Sequence, residues 1–137
     1  MIVADTNIIT YLLLPSSYSD DLDALYKAEP DWAVPTLWRS EFRNVLALYL
    51  RKEIITLKQA IRLVQSADSV VAHNEFTVSS TEVLTLVDKS SCSAAYDCEF
   101  VALAHTLEIQ LVTQDKKILR EFPKTAVSVS DFLAQQS

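Results

Sequence analysis

Twice along this chain a short apolar run stops at an acidic residue and a helix-like segment begins. Ile2-Val-Ala4 ends in Asp5, with Asn7 two residues on and a second apolar run, Ile8 to Leu14, behind it. Ile109-Gln-Leu-Val-Thr113 ends in Gln114-Asp115 before Lys116-Lys-Ile-Leu-Arg120. Each reads as a buried strand whose carboxyl end delivers a carboxylate into the start of a helix. Strands that feed helices build βαβ units, with right-handed crossovers and a parallel sheet covered on both faces. In open sheets of that kind, ligands bind in the crevice beyond the carboxyl ends of the strands. Asp5 and Asp115 are therefore candidates for a site, although helix capping alone accounts for either of them taken singly.

The segments between keep the alternation. Pro15 to Asp21 is a loop, Asp20 to Ala28 a short helix stopped by Pro30, and Trp32-Ala-Val34 a second strand ended by Pro35. Thr36 opens a long helix to Lys52. Thr56-Leu-Lys-Gln59 is a capping box for a helix reaching Asp68, and Ser79-Ser-Thr-Glu82 is a second one, opening Val83 to Lys89. Ser69 to Phe76, with its Val-Val-Ala run, is predicted to be the third strand, with His73 at its edge in a structural role. Ser93 is expected to cap a helix from Ala94 to Leu107, Ala126 to Val129 to be the last strand, and Ser130 to cap the final helix. No internal repeat or linker interrupts the pattern. Residues 1–137 are read as one α/β domain, long enough to bury a core.

Two of the helices carry further acids where packing does not ask for them. Leu37, Glu41, Val45 and Leu48 share one helical face, so Glu41 is expected within an apolar stripe, where an unpaired charge is costly. Arg39 and Arg43 are near in sequence, but neither stands three or four residues from Glu41, the spacing of helical neighbours. Asp97 lies in the first turns of its helix, on the face continued by Val101 and Ala104. The helix dipole also favours an acid there, so its structural reading stands beside the functional one. Glu99 falls on another face and is the weaker candidate, and His105 reads as a surface residue.

Composition removes several function classes. The chain has no glycine, which excludes a P-loop and a dinucleotide-binding turn, both of which need glycine where backbone approaches phosphate. Cys92 and Cys98 are too few for a disulfide framework and lack metal-ligand spacing with His73 or His105, so reduced thiols are expected. The longest early apolar run is too short to span a membrane and has no basic leader, and a soluble cytoplasmic protein is expected. A net charge of −6 argues against a generic nucleic-acid binder. Part of it is local, since Asp20, Asp21, Asp23, Glu29 and Asp31 crowd one segment. Reserving four of the 18 acids for a bound cation leaves 14 against 12 bases, so the objection is weak.

Two carboxylates at strand ends and two on inward helix faces can converge on one crevice only if a counter-ion offsets their repulsion. A hard divalent cation with oxygen ligands, Mg²⁺ or Mn²⁺, is the economical solution. Such a cluster activates water and stabilises the charge on a phosphodiester under in-line attack. Acids do not hold RNA, so nearby cations would have to: Arg39, Arg43 and Lys116 are the candidates, with Lys117 and Arg120 behind them. A solvated helix face explains any one of these equally well.

The segments Val3-Ala-Asp5-Thr-Asn7, Ser40-Glu41, Ala95-Tyr-Asp97-Cys-Glu-Phe-Val-Ala-Leu-Ala104 and Leu111-Val-Thr113-Gln-Asp115 together resemble a PIN-domain protein, of the VapC-type toxins of toxin–antitoxin pairs. The resemblance runs over essentially the whole chain in the family's order. It implies a Rossmann-like α/β/α sandwich with a central, mostly parallel sheet of about five strands, and a metal-dependent ribonuclease. It implies that Asp5, Glu41, Asp97 and Asp115 bind Mg²⁺ or Mn²⁺ and carry the catalysis. Asn7 and Thr113 match polar positions that support the site through hydrogen bonds. A homodimer and a small, VapB-like antitoxin partner are implied as well. Three positions depart from the pattern: Glu108 stands where relatives often carry Gly, Lys117 where some place another acid, and His105 where an acid is common.

Two other readings stay open at this level. The first is a PIN nuclease of RNA maturation or decay that has no antitoxin. The second is a regulatory Mg²⁺-binding module, such as a phospho-receiver, disfavoured by the single Asp5 after the first strand and by the lack of an Asp in Ser69 to Phe76.

Overall fold

A computed structural model describes residues 1–92 and 94–136. The elements follow in the order β1 (Ile2–Ala4), α1 (Thr6–Leu13), α2 (Ser19–Ala28), β2 (Trp32–Pro35), α3 (Trp38–Arg51), α4 (Leu57–Val70), β3 (Glu75–Phe76), α5 (Ser80–Lys89), α6 (Ala95–Leu107), β4 (Leu111–Val112), α7 (Lys116–Glu121), β5 (Ala126–Val127) and α8 (Val129–Gln135). The strands form one parallel sheet in the order β3-β2-β1-β4-β5, flanked by helices. This is the α/β architecture expected from the sequence.

The chain starts in the middle of the sheet and winds outward through β2 and β3, then returns to the other side of β1 as β4. The switch point therefore falls between β1 and β4, the two strands that end in Asp5 and Asp115. Val3 N–H donates to the Gln110 carbonyl at 2.9 Å and Asp5 N–H to the Val112 carbonyl at 3.1 Å, which locks the two carboxyl ends side by side. The strands are buried on both faces: Ile2, Val3, Ala4, Trp32, Ala33, Val34, Leu111 and Val112 all lie in the main core. That is why they read as continuous apolar runs instead of alternating ones.

Helix α6 packs against β1, β2 and β4 on one side and against α5 on the other. It buries Cys98, Phe100, Val101, Ala102, Leu103 and Ala104, so nearly its whole circumference is apolar, as a helix sandwiched between two layers requires. Its amino end, with Asp97, emerges at the strand ends. The expected cap of this helix, Ser93, lies outside the described residues. Helices α1, α3 and α4 pack on one another, and α2 joins α1 to α8.

Four local expectations are corrected. The third strand is only Glu75–Phe76, paired with Val34 and Pro35. The Val-Val-Ala run belongs to the end of α4, because Ala60, Val64, Ala67 and Val71 fall on one helical stripe and Ala60, Ala67 and Val71 are buried on it. Helix α3 begins at Trp38, after a turn at Thr36 and Leu37. Ser128, not Ser130, caps α8 by accepting the Asp131 N–H at 3.2 Å, since β5 ends where its two-residue partner β4 does. The capping box at Thr56 and Gln59 is complete, whereas that at Ser79 has only its first half. Its Glu82 carboxylate accepts instead from the Thr106 hydroxyl at 2.7 Å.

A chain without glycine must still turn. Among the described residues, three non-glycine positions have positive φ: Glu53 (57°), His73 (67°) and Glu108 (56°). Glu108 closes α6 in the left-handed conformation (φ 56°, ψ 44°) and donates its N–H to the carbonyls of Ala104 and His105. The turn is the ordinary helix terminator, built on a residue for which it costs about 1 kcal/mol.

Candidate active site

At the carboxyl ends of β1 and β4 a crevice of about 430 Å³ opens between α1, α3 and α6. Asp5, Glu41, Asp97 and Asp115 all line it, so residues separated by more than a hundred positions share one solvent-filled space. Each arrives by a different local device. Asp5 is the N-cap of α1 and accepts the Thr6 N–H at 2.7 Å. Asp115 is the N-cap of α7 and accepts the N–H groups of Lys117 (2.8 Å) and Ile118 (3.1 Å). Capping and site geometry are thus not alternatives for these two residues: the cap holds one oxygen and aims the group.

Glu41 corrects the sequence reading of α3. The core-facing stripe of that helix is Trp38, Phe42 and Leu46. The neighbouring stripe, with Glu41, Val45 and Leu48, faces the crevice and solvent; Leu48 is 50 % exposed. Glu41 is therefore half-buried on the crevice wall, not embedded in an apolar face, and it accepts from the Thr6 hydroxyl at 2.7 Å. Asp97 is half-buried in the first turn of α6, on the face continued by the buried Val101 and Ala104.

A hydrogen-bonded brace joins the strand ends. The fully buried Thr113 hydroxyl donates to Asp5 Oδ2 at 2.6 Å and accepts the Asp115 N–H at 3.0 Å. Asn7 reaches the same groups, with its amide nitrogen 3.4 Å from Asp5 Oδ2 and its oxygen accepting the Gln114 N–H at 3.3 Å. Asn7 and Thr113 thus bond to Asp5 itself.

The electrostatics are those of acids lacking a counter-ion. Burial pushes the Asp5 carboxyl up to about 6, against the opposing hydrogen bonds from Thr113 and Thr6, and the charges of Glu41 and Asp115 add to the rise. Glu41 is raised by burial, then by Asp97 and Glu99. Asp97 is raised by burial, then by Asp115, with Lys117 acting the other way. Among the described residues none lining the crevice is Lys or Arg.

This donor set suits a hard cation. It is entirely oxygen: four carboxylates, with Thr and Asn as supports. Among the described residues no three His, Cys, Asp or Glu side chains stand close enough together to hold a metal ion as a group. Mg²⁺ does not require such a group, since it keeps several of its waters and takes only one or two carboxylates directly.

The expected cations are placed elsewhere. The Arg39 Nε donates to Glu75 at 3.0 Å, its terminal nitrogen lies 2.7 Å from Asp68, and its guanidinium stacks 5.2 Å from the Trp38 ring centre. Arg39 therefore ties α3 to α4 and β3 and does not line the crevice. Arg43 and Lys116 are both exposed, and neither lines it. Glu99 lies in a separate hollow with Val78, Val83 and Leu84, close enough to act on Glu41. His105 is exposed and contacts Thr125 at 2.9 Å.

Sequence reasoning missed six lining residues: Thr6, Thr10, Tyr11, Asn44, Val45 and Tyr49. Thr10 and Tyr11 stand three and four residues after Asn7, and Asn44 and Tyr49 continue the Glu41 face of α3. The helical spacing from the acids was the signal that could have found them.

Comparison with known proteins places this geometry. The family model described as PIN domain matches residues 2–125. No curated protein matches the chain in sequence. Among solved structures, that of PAE2754 from Pyrobaculum aerophilum superposes with a TM-score of 0.74 at 21 % identity, over 98 % of this chain and 94 % of that one. A toxin–antitoxin complex from Klebsiella pneumoniae gives 0.70 at 19 %, over 94 % and 98 %. VapBC2 from Rickettsia felis, bound to a DNA fragment from its promoter, gives 0.66 at 19 %, over 93 % and 98 %. At these identities the likeness is one of fold.

Proposed function

The chain belongs to the PIN-domain family, and on that premise we propose that it is a metal-dependent endoribonuclease, the toxin of a toxin–antitoxin pair. One observation carries the reading: four carboxylates line a single crevice at the switch point of the sheet, with no Lys or Arg among its described lining residues and Lys117 acting on Asp97 from outside that lining. Three of the four are raised by burial and then by mutual charge, a repulsion that a bound cation would relieve.

In this reading Asp5, Glu41, Asp97 and Asp115 hold Mg²⁺ or Mn²⁺. The bound cation supplies Lewis-acid stabilisation of the phosphodiester and activation of the attacking water. Thr113 and the Thr6 N–H keep both Asp5 oxygens oriented, and the Thr6 hydroxyl does the same for Glu41. The cap bonds from Lys117 and Ile118 fix Asp115 Oδ1 and leave its second oxygen for the crevice. The chain's part in the chemistry is thus to present oriented oxygens to one crevice, so that little reorganisation accompanies the reaction.

The partner reading follows the neighbours. The Klebsiella pneumoniae relative is solved as a toxin–antitoxin complex and the Rickettsia felis one as VapBC2. We extend to this chain a small antitoxin, a homodimer, a single PIN domain over 1–137 and a cytoplasmic site of action. Among the described residues no helix is long and apolar enough to cross a membrane.

The test is twofold. Purified protein should cleave RNA in Mg²⁺ or Mn²⁺, stop on chelation and lose activity in Asp5→Asn. Induced in its host, the wild type should arrest growth, and co-expression of the small reading frame beside its gene should relieve the arrest. Cleavage that persists in chelator would sink the metal reading; cleavage without growth arrest would leave the nuclease and remove the toxin.

A further inference from the structure

The crevice has a second end. The acids occupy the amino-terminal turns of α1 and α3, and farther along the same two helix faces stand Tyr11 on α1 and Val45 and Tyr49 on α3, with Asn44 beside them. Tyr11 is six residues beyond Asp5 and Tyr49 eight beyond Glu41, about 9 and 12 Å along the helix axes. Both rings are half-buried, and neither hydroxyl has a hydrogen-bond partner among the described residues. Tyr18, on the turn before α2, packs against Tyr11 with ring centres 4.7 Å apart and planes tilted by 47°, which restrains the Tyr11 ring. One crevice therefore joins a polar, acid-lined end to an aromatic end about 9–12 Å farther along the helices.

We propose that Tyr11 and Tyr49 form a stacking shelf for a nucleobase of single-stranded RNA, the base flanking the phosphodiester that faces the four carboxylates. The proposal rests on the nuclease reading above and adds the part of the substrate that is gripped. Among the described residues the crevice lining has no cationic side chain, and the chain as a whole carries −6. Lining Lys or Arg side chains therefore do not supply phosphate contacts within the crevice, and Lys117, whose charge reaches Asp97, lies outside that lining. What the lining offers instead is aromatic surface, and stacking on aromatic rings is how proteins grip unpaired bases regardless of their identity. A base inside a duplex already has both faces covered, so this shelf selects single strands, loops or bulges. Asn44 adds an amide able to donate to and accept from a base edge, which gives the shelf a means of preferring one base.

The probe is a single-stranded octaribonucleotide with randomised flanks and one central 2-aminopurine, whose fluorescence falls on stacking. It is mixed with full-length protein in Mg²⁺ and followed by stopped flow, with cleavage read separately on a gel. Its twin carries an abasic site in place of 2-aminopurine and a terminal dye for anisotropy. The wild type should quench the first probe and bind it roughly tenfold or more tightly than the abasic twin. Tyr11→Leu and Tyr49→Leu, which keep apolar bulk, should shrink that preference towards one while leaving abasic binding unchanged. The salt dependence of wild-type binding should be shallow, with a logarithmic slope smaller in magnitude than about 1. If the Leu variants keep the wild-type preference, or weaken both probes equally, the shelf is wrong. No quench in the wild type would also overturn it. Quench and base preference without Mg²⁺-dependent cleavage of any probe would leave the shelf standing and remove the nuclease reading instead.

Discussion

The Thr113 hydroxyl lies 2.6 Å from Asp5 Oδ2, across the seam where β4 meets β1. The Thr113 hydroxyl oxygen also accepts the Asp115 N–H, so one buried hydroxyl sets the position of two acids that are 110 residues apart in the chain. Thr113→Val preserves the shape and removes both bonds. It should cost about 1–3 kcal/mol, because the Asp5 carboxylate and the Asp115 N–H each lose a partner. Urea unfolding measures the loss, and a weaker Mn²⁺ affinity should accompany it. An unchanged midpoint would mean that the brace is idle.

Burial makes Asp5 a source of pH-dependent instability in the metal-free protein. Its carboxyl sits at about 6 in the fold against 3.8 as the reference value, so between these pH values the folded state holds more proton than the unfolded one. Stability then falls as pH rises through this window, and the loss is complete above about 6. The shift corresponds to roughly 3 kcal/mol at neutral pH. Asp5→Asn removes the penalty but also one hydrogen-bond acceptor. In chelator the variant should be the less stable protein near pH 4 and the more stable one at pH 7. The crossing of the two urea-midpoint curves is the observable; parallel curves would place the Asp5 carboxyl near its ordinary value.

Glu108 bears a left-handed conformation that glycine adopts freely. Glu108→Gly should therefore stabilise the fold by about 0.5–1 kcal/mol, after allowing for the freer unfolded chain. Thermal melting reads the sign. A lower midpoint would show that the Glu108 side chain contributes more than its backbone costs.

Arg39 gives a separation of roles. Its ion pairs with Glu75 and Asp68 are partly exposed, so Arg39→Ala should cost no more than about 1 kcal/mol. The apparent KM for RNA should stay at its wild-type value, because the side chain is committed to the α3–β3 contact. A KM raised tenfold in a normally stable variant would return Arg39 to the RNA surface.

Much of this was legible because the relevant signals are local. Asp5 and Asp115 are marked by an apolar run on one side and a helix on the other, and Asp97 by its place above Val101 and Ala104. Glu41 was placed on the right helix but on the wrong kind of face. A stripe of Leu37, Val45 and Leu48 looks like core in one dimension, and only the burial of the neighbouring Trp38, Phe42 and Leu46 shows which side the core occupies. The third strand went astray because Val70 and Val71 have high strand propensity, while Val71 completes the buried stripe of α4 and tertiary packing overrides the preference. The ion pairs of Arg39 were not legible, because its partners, Asp68 and Glu75, lie 29 and 36 positions away and meet it only through the fold. Thr6 and the two tyrosines carry no motif of their own. They matter through the helix faces they share with the acids.

Calorimetric titration of Mn²⁺ and Mg²⁺ into the wild type and Asp97→Asn, both shown by circular dichroism to be folded, tests the central claim most directly. The wild type should bind the cation and cleave RNA in its presence, and the variant should lose both together. A wild type that takes up neither ion, or a variant that binds as tightly as its parent, would contradict the account and return the four acids to the role of helix caps and surface charge.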